Sequence, residues 1–103
     1  MAAAGQTGTF QLTVSTTPVT LPTRIPGTVS PAAMKPVSCD LIVVGAPVLF
    51  TDVGLDPATA GVEMPVGGVI SLANYGEIKR FRAIRSGGVD AELHGRMGTD
   101  WHP

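Results

Sequence analysis

The sequence predicts an all-β fold, a small β-sandwich or jelly-roll-like domain of six to seven short strands with a long Pro-rich loop. Apolar and polar residues alternate over several short runs, which is the period of half-buried strands. Turn residues interrupt these runs about every 8–12 residues, and no stretch has the period of an amphipathic helix. The 103 residues allow one domain.

The chain is predicted to consist of a flexible N-terminal arm at 1–8, a single β domain at 9–97 and a C-terminal tail at 98–103. The arm is small and polar, which is typical of a mobile terminus. The first strand is predicted at 9–17, where apolar residues fall on one face at every second position. Pro18 interrupts the run, which resumes briefly over 19–21 before Pro22. Prolines at both borders predict a sheet edge or a strand start.

Residues 22–36 hold four prolines and no periodic pattern, so a helix is excluded there. They predict a loop of about fifteen residues, either an extended arm that lies on a surface or a mobile loop. Residues 37–44 form the most apolar stretch and predict a strand covered on both faces. A turn at 45–47 leads to a short strand at 48–50, so these two strands are expected to form a hairpin.

One helical turn and three further strands complete the predicted fold. Asp56 followed by proline predicts the helical turn, because Asp caps a helix and Pro suits its first position. A strand at 69–73 follows a Gly-Gly turn. Residues 78–85 are predicted as a strand, since a helix there would place two arginines on its apolar stripe. A Ser-Gly-Gly turn predicts a hairpin with the final strand at 89–97.

The predicted core is thin, so we expect an isolated domain of marginal stability. It comprises apolar side chains from most of the strands: Phe10, Leu12, Val14, Leu41, Val43, Val69, Leu72, Phe81, Ile84, Leu93 and Met97. The single cysteine excludes an intramolecular disulfide, and its apolar surroundings predict a buried, inert thiol at Cys39.

No pattern of residues predicts catalysis, a metal or an organic cofactor. His94 and His102 are the only histidines, and no pair of Cys or His residues has metal-ligand spacing. A Cys39–His94 nucleophile pair is disfavoured because Cys39 lies in an apolar strand. The acidic residues between positions 52 and 63 lack the dense alternation of a calcium loop. We therefore expect a protein that is not an enzyme.

The charge composition indicates burial by other protein chains rather than binding to nucleic acid. Seven Lys and Arg residues oppose eight Asp and Glu residues, so the basic excess of a nucleic-acid binder is missing. Charged residues make up 15 % of the chain, against about 25 % in an average soluble domain. No apolar run reaches the about 18 residues of a membrane span, and the start lacks a signal-peptide pattern. The chain is therefore expected to be made in the cytoplasm and to stay there or to be built into something assembled there.

Two features are candidates for partner binding. Four cations lie close together and predict either a docking face for an acidic protein or a solvated sheet face: Lys79, Arg80, Arg82 and Arg85. On a solvated face they would form cross-strand ion pairs with Asp90, Glu92 and His94. Near the chain end, Trp101 is expected either to fold back on its own domain or to anchor in a neighbouring subunit.

Five short segments follow one another along the chain: TVSTTPVTLP at 13–22, APVLF at 46–50, MPVGGVISL at 64–72, the run at 78–84 and a closing alternating strand. This layout, which extends from residue 9 to residue 97, resembles that of small β-structured virion proteins of tailed bacteriophages. The resemblance implies a structural virion protein without catalytic residues, of the capsid decoration or cement type.

A decoration protein of this kind would bind the outside of a phage head and stabilise contacts between major capsid subunits. The resemblance implies that its partners are the major capsid protein or other virion subunits. Copies on the particle are expected to form homo-oligomers, namely trimers, or to bind as separate copies at symmetry points. The alternatives are a tail or head–tail junction protein, and a β-sandwich recognition module that binds a glycan or a peptide.

Overall fold

The computed structural model describes residues 7–25 and 36–98, which form a mostly β domain. Seven strands and two short helices follow one another along these residues: β1 (Thr7–Val14), β2 (Ser38–Val44), β3 (Val48–Thr51), α1 (Pro57–Ala60), β4 (Val62–Met64), β5 (Val69–Leu72), α2 (Tyr75–Arg80), β6 (Arg82–Arg85) and β7 (Ala91–Gly98).

The strands form two antiparallel sheets that pack against each other as a small sandwich. The order in the four-stranded sheet is β1-β7-β2-β5, and the order in the three-stranded sheet is β4-β3-β6. Val19 forms an isolated bridge with Ala83, so the chain after β1 crosses to the second sheet and lies along β6. The prediction of a small all-β sandwich is confirmed.

One apolar core lies between the two sheets. Along β2 and β7 every second side chain faces inward, so that Leu41 and Leu93 are buried while Ile42 is exposed. The buried apolar residues come from both sheets, from α2 and from the segments that connect them: Val14, Leu21, Ile25, Cys39, Leu41, Val43, Ala46, Val48, Ile70, Leu72, Ile78, Phe81, Ala83, Ala91, Leu93 and Met97.

Gly95 occupies a central position of the four-stranded sheet, and its neighbours use the space that a side chain would fill. It lies directly opposite Phe10 of β1 and Leu41 of β2. A Cβ atom on Gly95 would lie 2.6 Å from Phe10 Cε1 and 2.8 Å from Leu41 Cδ2. The ring of Phe10 therefore reaches over the glycine from the edge strand and packs against the core.

The helical turn and the Gly-Gly turn follow the sequence prediction. Asp56 caps α1 by accepting a hydrogen bond from the backbone two residues later, and the helix ends at Gly61. In the turn before β5, the N–H of Gly68 donates to the carbonyl of Pro65 over 2.9 Å. Gly67 has a φ of +84°, which a residue with a side chain rarely adopts.

The predicted strand at 78–85 is wrong over its first half, because α2 extends to Arg80 and only the last four residues form β6. Asn74 caps the helix by accepting a hydrogen bond from the N–H of Glu77 over 2.9 Å. The Glu77 carboxylate in turn accepts from the N–H of Ala73 over 2.8 Å. This reciprocal pair fixes the first turn of α2.

Both predicted hairpins are wrong, because the two strands of each belong to different sheets. β2 pairs with β5 and β7, whereas β3 pairs with β4 and β6. The three residues between β2 and β3 therefore carry the chain across the sandwich, with Gly45 at a φ of +86°. The segment between β6 and β7 makes the same crossing in the opposite direction.

The predicted core is largely confirmed, but it wrongly includes Val69 and omits several buried residues. Val69 is 54 % exposed, while Ile70 beside it faces the interior. Ile84 is only half-buried, and the prediction omitted Leu21 and Ile25, which are buried at the start of the Pro-rich loop. Because β1 begins at Thr7, the last two residues of the predicted arm belong to the strand. The rest of the arm, loop residues 26–35 and the tail from residue 99 lie outside the described residues.

Candidate interaction surfaces

The solvent side of the four-stranded sheet presents a regular set of side chains, which we call the outer face. Alternation along each strand and the antiparallel register bring together residues from all four strands: Thr9, Gln11, Thr13, Asp40, Ile42, Val44, Val69, Ser71, Glu92, His94 and Arg96. Most of them are exposed in the part of the chain that the structure describes.

Two apolar side chains lie side by side on the outer face. Ile42 of β2 and Val69 of β5 are directly opposite in register and are 47 % and 54 % exposed. Val44 follows on the same face and is half-buried. A single exposed apolar residue is ordinary. An adjacent pair on a sheet face, by contrast, stabilises a complex when another surface covers it and removes it from water.

Polar and charged groups surround this apolar pair. Arg96 of β7 lies opposite Asp40 of β2, so opposite charges occupy one row. His94 Nε2 lies 2.8 Å from Glu92 Oε1 on the same strand. An open depression of about 580 Å³ lies over this part of the sheet and is lined by Thr9, Phe10, Gln11, Asp40, Ile42, His94, Gly95 and Arg96. The surface offers hydrogen-bond donors and acceptors next to apolar contact area.

β1 is an edge strand of eight residues, TGTFQLTV, with no charged residue and no proline. Among the described residues it pairs with β7 alone, so its other side presents unpaired backbone N–H and C=O groups. Native proteins usually block such edges with charges, prolines or bulges, because an open edge is a template for another strand. None of these devices occurs within β1.

The four cations proposed for partner binding do not share one strand face. Lys79 and Arg80 lie in the last turn of α2, whereas Arg82 and Arg85 lie in β6 on opposite sides of the strand. Arg85 Nη1 pairs with Asp90 Oδ1 at 2.7 Å. Of the expected ion pairs, the one with Asp90 is therefore formed, in the segment between β6 and β7. The expected pairing of the cations with Glu92 and His94 is wrong, since β6 and β7 lie in different sheets.

The acidic residue of β7 finds another partner because β6 lies in the other sheet. Glu92 contacts His94 on its own strand instead of an arginine of β6. The other three cations, Lys79, Arg80 and Arg82, are exposed and lie at the end of α2 and the start of β6. Trp101, the other proposed partner-binding residue, lies outside the described residues.

Sequence reasoning missed the outer face as a site. It read residues 37–44 as a strand covered on both sides, whereas Asp40 and Ile42 are exposed. The available signal was Asp40 itself, because a charged residue between two apolar ones indicates that one face of the strand meets solvent.

Cys39 is buried in β2, as predicted, and its thiol is free. Burial raises the pKa of the Cys39 thiol from 9.0 to about 12, and the charge of the neighbouring Asp40 acts in the same direction. At neutral pH the thiol therefore stays protonated and is a poor nucleophile. In the described part of the chain, no group of three or more His, Cys, Asp or Glu side chains could hold a metal ion.

The raised pKa predicts a loss of stability at alkaline pH. The unfolded chain releases the thiol proton near pH 9, whereas the folded chain keeps it until about pH 12, so stability falls as pH rises between these values. At pH 10 we expect a loss of about 1.4 kcal/mol relative to neutral pH from this group. Urea unfolding at pH 7 and pH 10 gives the fall in unfolding free energy between these values for the wild type and for Cys39→Ala. The fall should be larger in the wild type by this amount. An identical pH dependence in both chains would contradict the prediction.

Comparison of the chain with protein-family models, with curated proteins and with solved structures finds no match. No helix among residues 7–25 and 36–98 is long and apolar enough to cross a membrane. The case for function therefore depends on the surfaces described above.

Proposed function

We propose that this chain is a structural virion protein, a capsid decoration or cement protein that binds the outside of a phage head and stabilises contacts between major capsid subunits. The observation that carries the proposal is the outer face, where the exposed Ile42 and Val69 lie side by side among polar groups. Such a surface is suited to contact with another protein.

The outer face supplies the main contact in this proposal. Covering an exposed Ile or Val side chain stabilises an interface by about 25 cal/mol for each Å² of apolar area removed from water. The threonines and the serine around the pair hydrogen-bond without the desolvation cost of a full charge. One copy binds weakly through such a surface, but many symmetry-related copies together resist separation of the shell.

The cations at the end of α2 and the start of β6 serve a different purpose in this proposal. Lys79, Arg80 and Arg82 are exposed, so their attraction to an acidic shell surface is screened by salt. They steer the chain to its site and fix its orientation more than they add affinity. Trp101, in the tail, adds an aromatic anchor in a neighbouring subunit.

Charge placed on the apolar pair tests the proposal. Ile42→Lys and Val69→Lys should each lower the number of copies bound to particles at least fivefold, because binding would bury an unpaired ammonium group. Val89→Lys is the matched control, since Val89 is 66 % exposed and lies in the turn before β7, away from the outer face. Occupancy is measured by quantitative mass spectrometry of particles lacking the chain after incubation with each purified variant.

All three variants should keep the circular dichroism spectrum and unfolding midpoint of the wild type, because each change is made at an exposed position. The proposal would be contradicted if the outer-face variants bound as well as the control. Equal loss in all three variants would also contradict it, because the contact would then not be specific to the outer face.

A recognition module that binds a glycan or a peptide is the second candidate. The open depression favours it, because Gln11, Asp40 and Arg96 place hydrogen-bonding groups around about 580 Å³ of space. Among the described residues, no Trp, Tyr or Phe side chain belongs to the outer face, since Phe10 at the depression packs against the core. A sugar ring therefore lacks its usual stacking partner there, which favours the structural function. Retention of the chain on a glycan or peptide array, with no binding to particles, would support this candidate instead.

A further inference from the structure

We infer that the free edge of β1 pairs with β1 of a second copy of this chain, antiparallel and about a two-fold axis. The two four-stranded sheets then join into one continuous eight-stranded sheet. This inference does not depend on a virion location, because it follows from the edge strand alone. Such a two-fold contact limits the assembly to two copies, because each copy has one β1 edge and uses it in the contact.

The sequence of β1 is complementary to itself when the axis passes through Gln11. A two-fold axis perpendicular to the sheet must pair outward side chains with outward ones, and centring it on Gln11 satisfies this condition. Thr9 then lies opposite Thr13 of the second copy on the outer face, and β-branched pairs of this kind stabilise antiparallel strands. On the inner face Phe10 lies opposite Leu12 of the second copy.

The burial of β1 supports a second strand beside it. Phe10 and Leu12 pack against the core but remain half-buried, because no described strand covers them on the edge side. Pairing with the second copy would bring Leu12 against Phe10 twice, once on each side of the axis. The contact would also satisfy the unpaired backbone groups of both edges.

The charges of β7 fit the same two-fold arrangement. Glu92 lies opposite Thr13 of β1 and Arg96 lies opposite Thr9. The axis therefore aligns Arg96 of one copy with Glu92 of the other, three strand spacings or about 14 Å apart across two short threonines. β1 itself has no charged residue, so no like charges meet between the two β1 strands. A two-fold dimer differs from the trimer that the family resemblance implies, and the oligomeric state distinguishes the two.

Substitution at the axis tests this pairing in the full-length chain. Sedimentation equilibrium of the wild type at about 10–100 µM should give twice the chain mass of 10.6 kDa. Gln11→Lys places two ammonium groups opposite each other and should weaken the dimer at least fivefold, as should Gln11→Glu. Ser71→Lys, an exposed outer-face position on the other edge strand, is the matched control and should remain a dimer.

An equimolar mixture of Gln11→Lys and Gln11→Glu should restore the dimer, because residue 11 then meets its opposite charge. Thermal unfolding of each variant shows whether the fold is kept. A monomeric or trimeric wild type would overturn the inference, and so would a dimer that Gln11→Lys leaves intact or a mixture that does not associate. A monomeric wild type that nevertheless binds particles would overturn the pairing while leaving the proposed function in place.

Discussion

Phe81→Ala should lower the free energy of unfolding by about 3–5 kcal/mol, the largest stability effect that we expect from a single substitution in this domain. Phe81 has no exposed surface and lies at the junction of α2 and β6, where the chain enters the three-stranded sheet. Its ring stacks on that of Phe50, with centroids 5.8 Å apart and planes inclined by 20°. Alanine would leave a cavity between the sheets and remove this stacking.

Phe50→Ala provides the comparison, because Phe50 is only half-buried and its loss should cost less. The double variant should be less destabilised than the sum of the two single variants, since the ring stacking is lost only once. Chemical unfolding monitored by circular dichroism measures all three. A loss below about 1 kcal/mol for Phe81→Ala would show that the two sheets do not pack on this ring.

Gly95→Ala should destabilise the domain by about 1–3 kcal/mol through overpacking. The added methyl group would meet both the Phe10 ring and a methyl group of Leu41, from strands on either side of β7. Either the ring moves out toward solvent or the strands separate, and both changes remove buried apolar contact. The expected fall in melting temperature is about 4–8 °C for each kcal/mol.

Gly88→Ala is the matched control for this prediction. Gly88 lies in the segment between β6 and β7, where a Cβ atom would meet no atom within 4 Å. Its melting temperature should stay within about 2 °C of the wild type. If Gly95→Ala were as stable as Gly88→Ala, the close packing of Phe10 over β7 would be contradicted.

Local features of the sequence predicted the elements that local chemistry determines. Alternation located β1 and β7 with the correct inward residues, and the Asp-Pro pair located α1 together with its cap. Such signals succeed because the side-chain period of a strand and the unpaired N–H groups of a helix start depend on neighbouring residues alone.

Strand pairing could not be predicted in the same way. The three-residue connection after β2 is compatible with a hairpin, but Gly45 and the following residues instead carry the chain to the other sheet. Which pairing occurs depends on how both sheets fill the common core, and no local pattern encodes that. At 78–85 the residues of two elements were read as one periodic run, although Asn74 and Glu77 already carried a capping signal.

Describing the outer face requires both the local alternation of residues and the pairing of the strands. The exposure of Ile42 follows from alternation, whereas its position opposite Val69 depends on the pairing of β2 with β5. The prolines after β1 predict that it lies at a sheet edge, and the strand order confirms this and identifies β7 as its neighbour. The cations were found directly in the sequence, but their division between α2 and β6 was not.

The abundance of this chain in purified virus particles tests the central claim most directly. Particles would be produced from the genome that encodes the chain, purified by density gradient, and analysed by quantitative mass spectrometry against the major shell protein. A decoration protein should be present in a fixed ratio to the shell protein, of the same order as its copy number. Absence of the chain from particles, while it accumulates in the infected cell, would contradict the proposed function.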